Sequence, residues 1–337
     1  MQPVLTVENV EAAYRLPNAQ EVRAVDGVSL SVMPGEVLGI VGESGCGKST
    51  LASVLAFTAR PPLRIKAGTL AFDGQSVPLT ESERVPSDWR GRLIALLPQG
   101  AMNSLNPTLR IRDFALDVLR AHEPNVDRRV AVERARERLQ QLSLPPRVLD
   151  SYPHQLSGGM KQRVVAVIST LLNPRILIAD EPTSALDVSS QRALVHLLLE
   201  LLERRIITSV LFISHDLPLL SNVADRIAVM YAGEIVELGA TRQIVRTPQH
   251  PYTQALIRST LVPERTIQGR RIEGIPGQPP DLRKPPPGCR FHPRCPHAME
   301  RCTRERPPLE LIDGGRVACW WVFERLRVVP SREGSDA

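Results

Sequence analysis

Apolar and polar positions along this chain fall into two textures. "VLTVENVEAAY" (residues 4–14) and "AVDGVSLSV" (24–32) alternate, the period of a strand buried on one face. "LAFDG" (70–74) predicts a further short strand ending in a turn. Other segments are apolar almost throughout: "EVLGIV" (36–41), "RLIALLPQ" (92–99), "RILIADE" (175–181) and "SVLFISHD" (209–216). Unbroken runs of that length predict strands buried on both faces, as in parallel sheets. Between them, "DRRVAVERARERLQQL" (127–142) and "SSQRALVHLLLELLERR" (189–205) have helical spacing. Buried strands alternating with helices argue for an α/β core with a largely parallel sheet.

After about residue 240 the texture changes. "TPQHPYTQALIRST" (247–260) predicts a short helix behind a turn. "IPGQPPDLRKPPPG" (275–288) is too dense in proline and glycine for a helix or an interior strand, and reads as a linker. The expected division is therefore a core over 1–240, with a helical portion at roughly 100–165, and an extension over 241–337. No internal repeat is visible.

Composition narrows the class only modestly. With 337 residues, 42% of them apolar, a sizeable core forms. The net charge of +6 comes from mixed signs without a basic run, so the high pI reads as an ordinary surface rather than a nucleic-acid footprint. No apolar run approaches the roughly eighteen residues of a membrane span. The longest, "VVAVISTLL" (164–172), suits a buried helix, and "MQPVLTVENVE" lacks the basic start and apolar stretch of a signal peptide. These features place the chain in the cytosol, with any membrane role arriving through partners.

The chemistry begins after the first buried strand. "GESGCGKS", Gly42 to Ser49, matches the phosphate-loop pattern and lies between a strand and a helix start. Gly42, Glu43, Ser44, Gly45, Cys46, Gly47 and Thr50 would offer backbone N–H groups to phosphate oxygens, aided by the helix dipole. Lys48 would reach the terminal phosphates and Ser49 would ligate Mg²⁺. "ILIADE" ends a buried strand in two acids at the carboxyl edge of the sheet: Asp180 suits Mg²⁺, and Glu181 suits orienting or deprotonating the attacking water. His215 ends another such strand and is a candidate γ-phosphate contact. Gln99 either touches Mg²⁺ and water or simply caps its strand.

A second anion grip follows. In "SYPHQLSGGMKQR" (151–163), Ser157 is a ready helix N-cap, but two glycines at a helix start weaken it by about 1 kcal/mol each relative to alanine. Bare backbone there suits close approach to an anion. Because the chain's own loop already cradles its phosphates, Ser157, Gly158 and Gly159 would serve a nucleotide held by another chain.

With these motifs in place, the chain resembles the ATP-binding cassette family. The signature reads LSGGM (156–160) where the family usually has LSGGQ, which leaves the backbone contacts intact. The resemblance implies a head-to-tail dimer with two ATPs, each held between one phosphate loop and the partner's signature. It implies a cassette with a RecA-like parallel core, an antiparallel β subdomain and a helical subdomain. It further implies Gln99 as the Q-loop glutamine, Glu181 as catalytic glutamate, His215 as switch histidine, Asp187 of "SALD" (184–187) as the D-loop aspartate, and Tyr14 stacked on adenine. Lys48, Gln99, Glu181 and His215 form the implied catalytic set, with Ser49, Gln99 and Asp180 around Mg²⁺.

The closer resemblance is to ATPase subunits of dipeptide and oligopeptide importers, through "NSLNPTLRI", "SGGMKQRV", "HPYTQALIRS" and "GCRFHPRCPHAMERC". One departure is "PQGAMNSLNP", where the family commonly has Asp-Pro after the glutamine; that region should face the transmembrane partner. Implied partners are a second cassette (a copy or a different chain), two permease subunits and an extracytoplasmic binding protein, at the cytoplasmic face of the membrane, with no nucleic acid. Relatives of such importers also move nickel and oligosaccharides. The rival reading is a soluble cassette of DNA repair or translation. The stretch from Lys48 to Ser157 is too short for the long coiled coils of the former, and the single cassette does not match the paired ones of the latter.

Cys289, Cys295, Cys302 and Cys319 crowd near the C-terminus, whereas Cys46 sits in the phosphate loop, its thiol incidental. In a reducing compartment such a cluster reads as metal before disulfide. Four thiolates suit tetrahedral zinc, with His292 or His297 as possible ligands, or an iron–sulfur cluster. The tight C-x2-C pairs of zinc ribbons are absent, and the resemblance points to a [4Fe–4S] cluster. Unliganded thiols and disulfides remain open.

Overall fold

A computed structural model describes residues 2–17, 20–81, 85–100, 105–184, 186–260 and 274–328. Strands β1 (Leu5–Arg15) and β2 (Glu21–Val32) lead into β3 (Val37–Val41) and helix α1 (Lys48–Leu55), followed by β4 (Leu63–Phe72), β5 (Gln75–Pro78) and β6 (Ile94–Leu97). A helical stretch comprises α2 (Ile111–His122), α3 (Arg128–Gln141) and α4 (Gly158–Ser169). The chain then runs through β7 (Ile176–Asp180), α5 (Val188–Glu203), β8 (Ser209–Ile213), α6 (Leu217–Val223), β9 (Arg226–Tyr231), β10 (Glu234–Ala240), α7 (Thr241–Arg246) and α8 (Pro251–Arg258). Short elements close it: α9 (Glu300–Arg304), β11 (Glu310–Ile312), β12 (Gly315–Val317) and α10 (Trp320–Val328).

The alternating segments pair antiparallel, in the order β2-β1-β4-β5. The strand expected at 70–74 is the end of a longer one, β4, which "LRIK" extends upstream by pairing Leu63 with Tyr14 and Ile65 with Ala12. The unbroken apolar segments form the centre of the second sheet, ordered β11-β12-β10-β9-β3-β8-β7-β6, with β9, β3, β8, β7 and β6 parallel.

Alternation within the central strands explains why they read as wholly apolar. Leu38 and Ile40 of β3, Ile176 and Ile178 of β7, and Leu211 and Ile213 of β8 face a core shared with α1 and the antiparallel sheet. Their neighbours Val37, Val41, Leu177, Ala179, Val210 and Phe212 face a core shared with α2, α3, α4 and α5. Neither face meets water, so both residue parities must be apolar. Parallel pairing also brings the carboxyl ends of β3, β6, β7 and β8 to one edge, the usual ligand-binding edge of such sheets.

The proline-rich stretch 275–288 contains neither helix nor strand, and the residues beyond it return to the core. β12 pairs with β10 (Val317 opposite Glu237), so the last strands extend the large sheet. Arg290 is buried between acids: it pairs with Asp26 of β2 and, at Nε–Oε1 2.8 Å, with Glu234 of β10. A buried guanidinium matched by carboxylates on two elements holds this segment down as a charged peg. Among the described residues no helix is long and apolar enough to cross a membrane.

Candidate functional site: a phosphate-binding cavity at the sheet edge

Gly42 to Gly47 form the loop between β3 and α1, and local sterics explain the glycines. Gly47 has φ +106°, and a Cβ there would overlap the Ala24 carbonyl oxygen; one at Gly42 would overlap the Met230 carbonyl oxygen. Only glycine permits this close backbone approach. Lys48 is buried and folds back over the loop, its Nζ donating to the Gly42 carbonyl at 2.7 Å and the Glu43 carbonyl at 3.0 Å. Cys46 packs against that ammonium, and burial pushes its thiol pKa up, which fits an inert side chain.

The loop opens onto a cavity of about 610 Å³ whose wall includes Tyr14, Ser44, Gly45, Gly47, Lys48, Ser49, Thr50, Gln99, Glu181 and His215. The strands deliver these groups from four directions. Ser49 Oγ donates to Asp180 Oδ1 at 3.0 Å, joining the first turn of α1 to the end of β7. Burial raises the Asp180 pKa, with Ser49 opposing this and the adjacent Glu181 reinforcing it. Glu181 has φ +44°, a strained left-handed conformation that turns the chain just past β7. Its carboxylate accepts from Gln99 Nε2 at 3.2 Å and lies 3.3 Å from His215 Nδ1. The hydroxyl of Tyr14 shares a hydrogen bond with Thr50 Oγ1 at 3.1 Å.

The donor set is hard and oxygen-based: the Ser49 hydroxyl and the Gln99 side chain border the cavity, and the Asp180 carboxylate is joined to it through Ser49. That set suits Mg²⁺.

Several expected residues are not in this wall: Gly42, Glu43, Cys46 and Asp180 adjoin residues that are, whereas Ser157, Gly158, Gly159 and Asp187 lie elsewhere. Ser157 caps α4, accepting from the Met160 N–H at 3.3 Å, and Asp187 caps α5, accepting from the Ser190 N–H at 3.0 Å. Asp187 also accepts from the Ser189 and Ser190 hydroxyls, which hold its carboxyl well below the usual range. Gly159 has a reason within its own chain: a Cβ there would stand 2.7 Å from Ser190 Oγ, so α4 and α5 approach through this glycine. Residues 101–104, part of the segment expected to face a membrane partner, and Ala185 of the D-loop lie outside the described residues.

The site also contains residues whose local pattern gives them no role at the nucleotide. Val22, Ala24 and Leu282 line the cavity; Tyr252 Oη accepts from the Glu43 N–H at 2.9 Å; and Arg294 pairs with the Glu43 carboxylate. Tyr252 and Arg294 lie in "HPYTQALIRS" and "GCRFHPRCPHAMERC", but nothing local ties any of these residues to the nucleotide site, because each acts from far along the chain.

The comparisons follow this geometry. A family model for the ABC transporter matches residues 25–184, and one for the oligopeptide/dipeptide transporter, C-terminal region, matches 236–302. The dipeptide transport ATP-binding protein DppD of Caldanaerobacter subterraneus subsp. tengcongensis is 42% identical over 95% of this chain and 97% of its own. The chain belongs to the ABC transporter family, in its dipeptide and oligopeptide ATP-binding branch. DppD of Escherichia coli is 42% identical over 87% of this chain and 89% of its own, and OppD of the same organism 39% over 96% and 94%. Among solved structures, a dimeric post-hydrolysis state of the ATP-binding cassette MJ0796 bound to ADP and Pi covers 71% of this chain and 99% of its own, at 26% identity and TM-score 0.59. The chain is thus an ATP-hydrolysing cassette, and its parallel core with an antiparallel sheet is the cassette fold.

Cys289, Cys295, Cys302 and Cys319 are all free, and their thiols lie within electrostatic reach of one another. Burial pushes Cys289 up to about 12 and Cys319 up to about 11. Yet among the described residues no group of three or more His, Cys, Asp or Glu side chains is arranged to hold a metal. As they stand, the thiols are gathered but not set in ligand geometry. The His297 ring stacks on Trp321, with centroids 4.2 Å apart.

Proposed function

We propose that the chain binds and hydrolyses ATP to energise import of di- and oligopeptides through membrane-spanning partner subunits. The observation that carries this reading is the single cavity that collects Lys48 and Ser49 from the start of α1 and Gln99, Glu181 and His215 from just past the ends of β6, β7 and β8. Lys48 and the loop N–H groups bind the phosphates, while Ser49, Asp180 and Gln99 hold Mg²⁺, which when bound neutralises phosphate charge in the transition state. Glu181 accepts the proton of the attacking water, with Gln99 and His215 holding its carboxylate, and His215 turns toward the terminal phosphate once that is present.

Tyr14 stacks on the base. Ser157, Gly158 and Gly159 close over the nucleotide of a second cassette, with Asp187 at the joint; support comes from their absence from the wall of their own cavity and from the dimeric state of the solved relative. The nucleotide-binding domain spans residues 1–240 and the extension 241–337 carries the cysteine motif; the assembly includes two permeases and an extracytoplasmic binding protein, at the cytoplasmic face of the membrane. Peptide as the cargo rests on the relatives named DppD and OppD.

The test is uptake of a labelled dipeptide by cells carrying this chain or Lys48→Ala, alongside ATP binding by the purified proteins. Loss of both in the variant is expected. Unchanged nucleotide binding in Lys48→Ala, or wild-type cells that import no peptide, would sink the respective half of the reading.

A second reading concerns the cysteines: they hold a [4Fe–4S] cluster, or zinc, once small rearrangements bring the thiols into register. Support comes from their mutual proximity and from backbone N–H groups at Phe291, His297, Trp321 and Val322 directed at three of the sulfurs. Iron, acid-labile sulfide and zinc analysis of anaerobically purified protein decides among cluster, zinc and free thiols.

A further inference from the structure

The cysteine-bearing segment and the proline-rich stretch before it reach the nucleotide site at one point each. The first is at the phosphate loop. Arg294, whose side chain is 5% exposed, grips the Glu43 carboxylate with both terminal nitrogens, Nη1–Oε2 at 2.7 Å and Nη2–Oε1 at 3.1 Å. Its Nε donates to the Pro276 carbonyl at 2.7 Å, and Nη1 to the Tyr231 hydroxyl at 3.3 Å. Phe291 packs its ring on Tyr231 and Tyr252, with centroids 5.2 and 5.4 Å apart, and Tyr252 in turn accepts from the Glu43 N–H. Glu43 is thus held by side chain and backbone from behind, while Lys48 holds its carbonyl from the front.

The second point is the cavity wall. The Arg23 N–H of β2 donates to the Leu282 carbonyl at 3.0 Å, which seats the proline-rich stretch beside β2 and places Leu282 next to Val22 and Ala24 in the wall. The stretch that looks like a linker is therefore fastened near its start, where Arg294 holds the Pro276 carbonyl, and at its middle, where Arg23 holds the Leu282 carbonyl.

We propose that this segment completes the nucleotide site of its own chain: Arg294 is a positioning residue that sets the phosphate loop through Glu43, and Leu282 supplies part of the wall. The proposal rests on the ATP-site reading above. The loop must present its N–H groups in one conformation before phosphate arrives, and a planar, two-pronged grip on its second residue provides that pre-organisation. Lysine cannot reproduce the fork, so Arg294→Lys restores the charge but only part of the alignment.

The experiment measures binding of a fluorescent ADP analogue and steady-state ATPase on the full-length chain. Variants are Arg294→Met, Arg294→Lys, Glu43→Gln, the Arg294→Met/Glu43→Gln pair, and Leu282→Ser, with Lys48→Ala as control. Arg294→Met is expected to raise Kd and KM about tenfold, the scale of one lost charge-assisted hydrogen bond, with kcat at saturating ATP much less affected. Arg294→Lys recovers part of the affinity, and Leu282→Ser weakens binding in the same sense. The double variant binds no worse than Arg294→Met alone, because both changes break one linkage.

Wild-type affinity in folded Arg294→Met, or additive losses in the double variant, overturns the proposal while leaving the ATP site intact, provided Lys48→Ala still loses nucleotide. If the wild type binds no nucleotide, the ATP-site reading falls and this proposal with it. Should Arg294→Met fail to fold, Glu43→Gln decides: weakened binding supports the linkage, and unchanged binding refutes it.

Discussion

Replacing Glu181 with glutamine isolates proton acceptance from everything else the residue does. The amide has the size of the carboxylate, and it keeps an oxygen to accept from Gln99, 3.2 Å away in the native site. The amide nitrogen can donate to His215 Nδ1, so the 3.3 Å contact survives in altered polarity. The positive φ at this position strains glutamine no more than glutamate, so folding stability should shift by about 0.5 kcal/mol at most. What disappears is the base. General-base catalysis contributes about 10²–10⁴-fold, or about 3–5 kcal/mol in the barrier. Nucleotide binding is untouched, because Lys48 and the loop N–H groups remain. The expected outcome is a phosphate-release rate lower by that factor, an unchanged Kd for ATP, and an ATP-dependent dimer that accumulates in light scattering. A variant that hydrolyses ATP within a few-fold of wild type would refute the assignment of Glu181.

Two further perturbations test the packing behind the site. Gly47→Ala places a Cβ onto the Ala24 carbonyl and in a positive-φ conformation, so nucleotide binding should be lost, and calorimetry with ATP should show no heat. His250 is buried as the cap of α8, and burial lowers its pKa to about 3, offset only in part by the Ala318 backbone. The unfolded chain therefore takes up a proton below its ordinary pKa while the folded chain does not, and stability falls as pH drops from 6.5. By pH 5 the loss is about 2 kcal/mol. His250→Asn keeps a capping acceptor and flattens that acid limb in thermal melts; Glu237, whose carboxyl burial also raises, titrates in both proteins and cancels in the difference. Equal slopes for the two proteins would exclude His250 as the source.

What the chain announces by itself is whatever depends on neighbours in sequence. The phosphate loop is legible because a strand, a glycine-rich turn and a helix start are consecutive, and the same holds for Asp180 and Glu181 at the end of an apolar run. Ser157 and Asp187 are legible as caps for the same local reason. The parallel core is legible too, since residues such as Leu38 and Val37 must both be apolar when the strand is buried on both faces.

Only the tertiary structure decides which separate pieces meet. Gln99, Glu181 and His215 come from three strands, and their contacts exist because parallel pairing of β6, β7 and β8 aligns the carboxyl ends. Gly159 reads as a phosphate-binding glycine, yet in the folded chain it also makes room for Ser190 of α5. The sharpest divergence is the proline-rich segment. Its composition excludes helix and interior strand, and composition carries no information about what a loop lies against. Buried charge settled that point: among the described residues the carboxylate partners of Arg294 and Arg290 lie on the cassette core, so burying them fastens the segment to the phosphate loop and to β2.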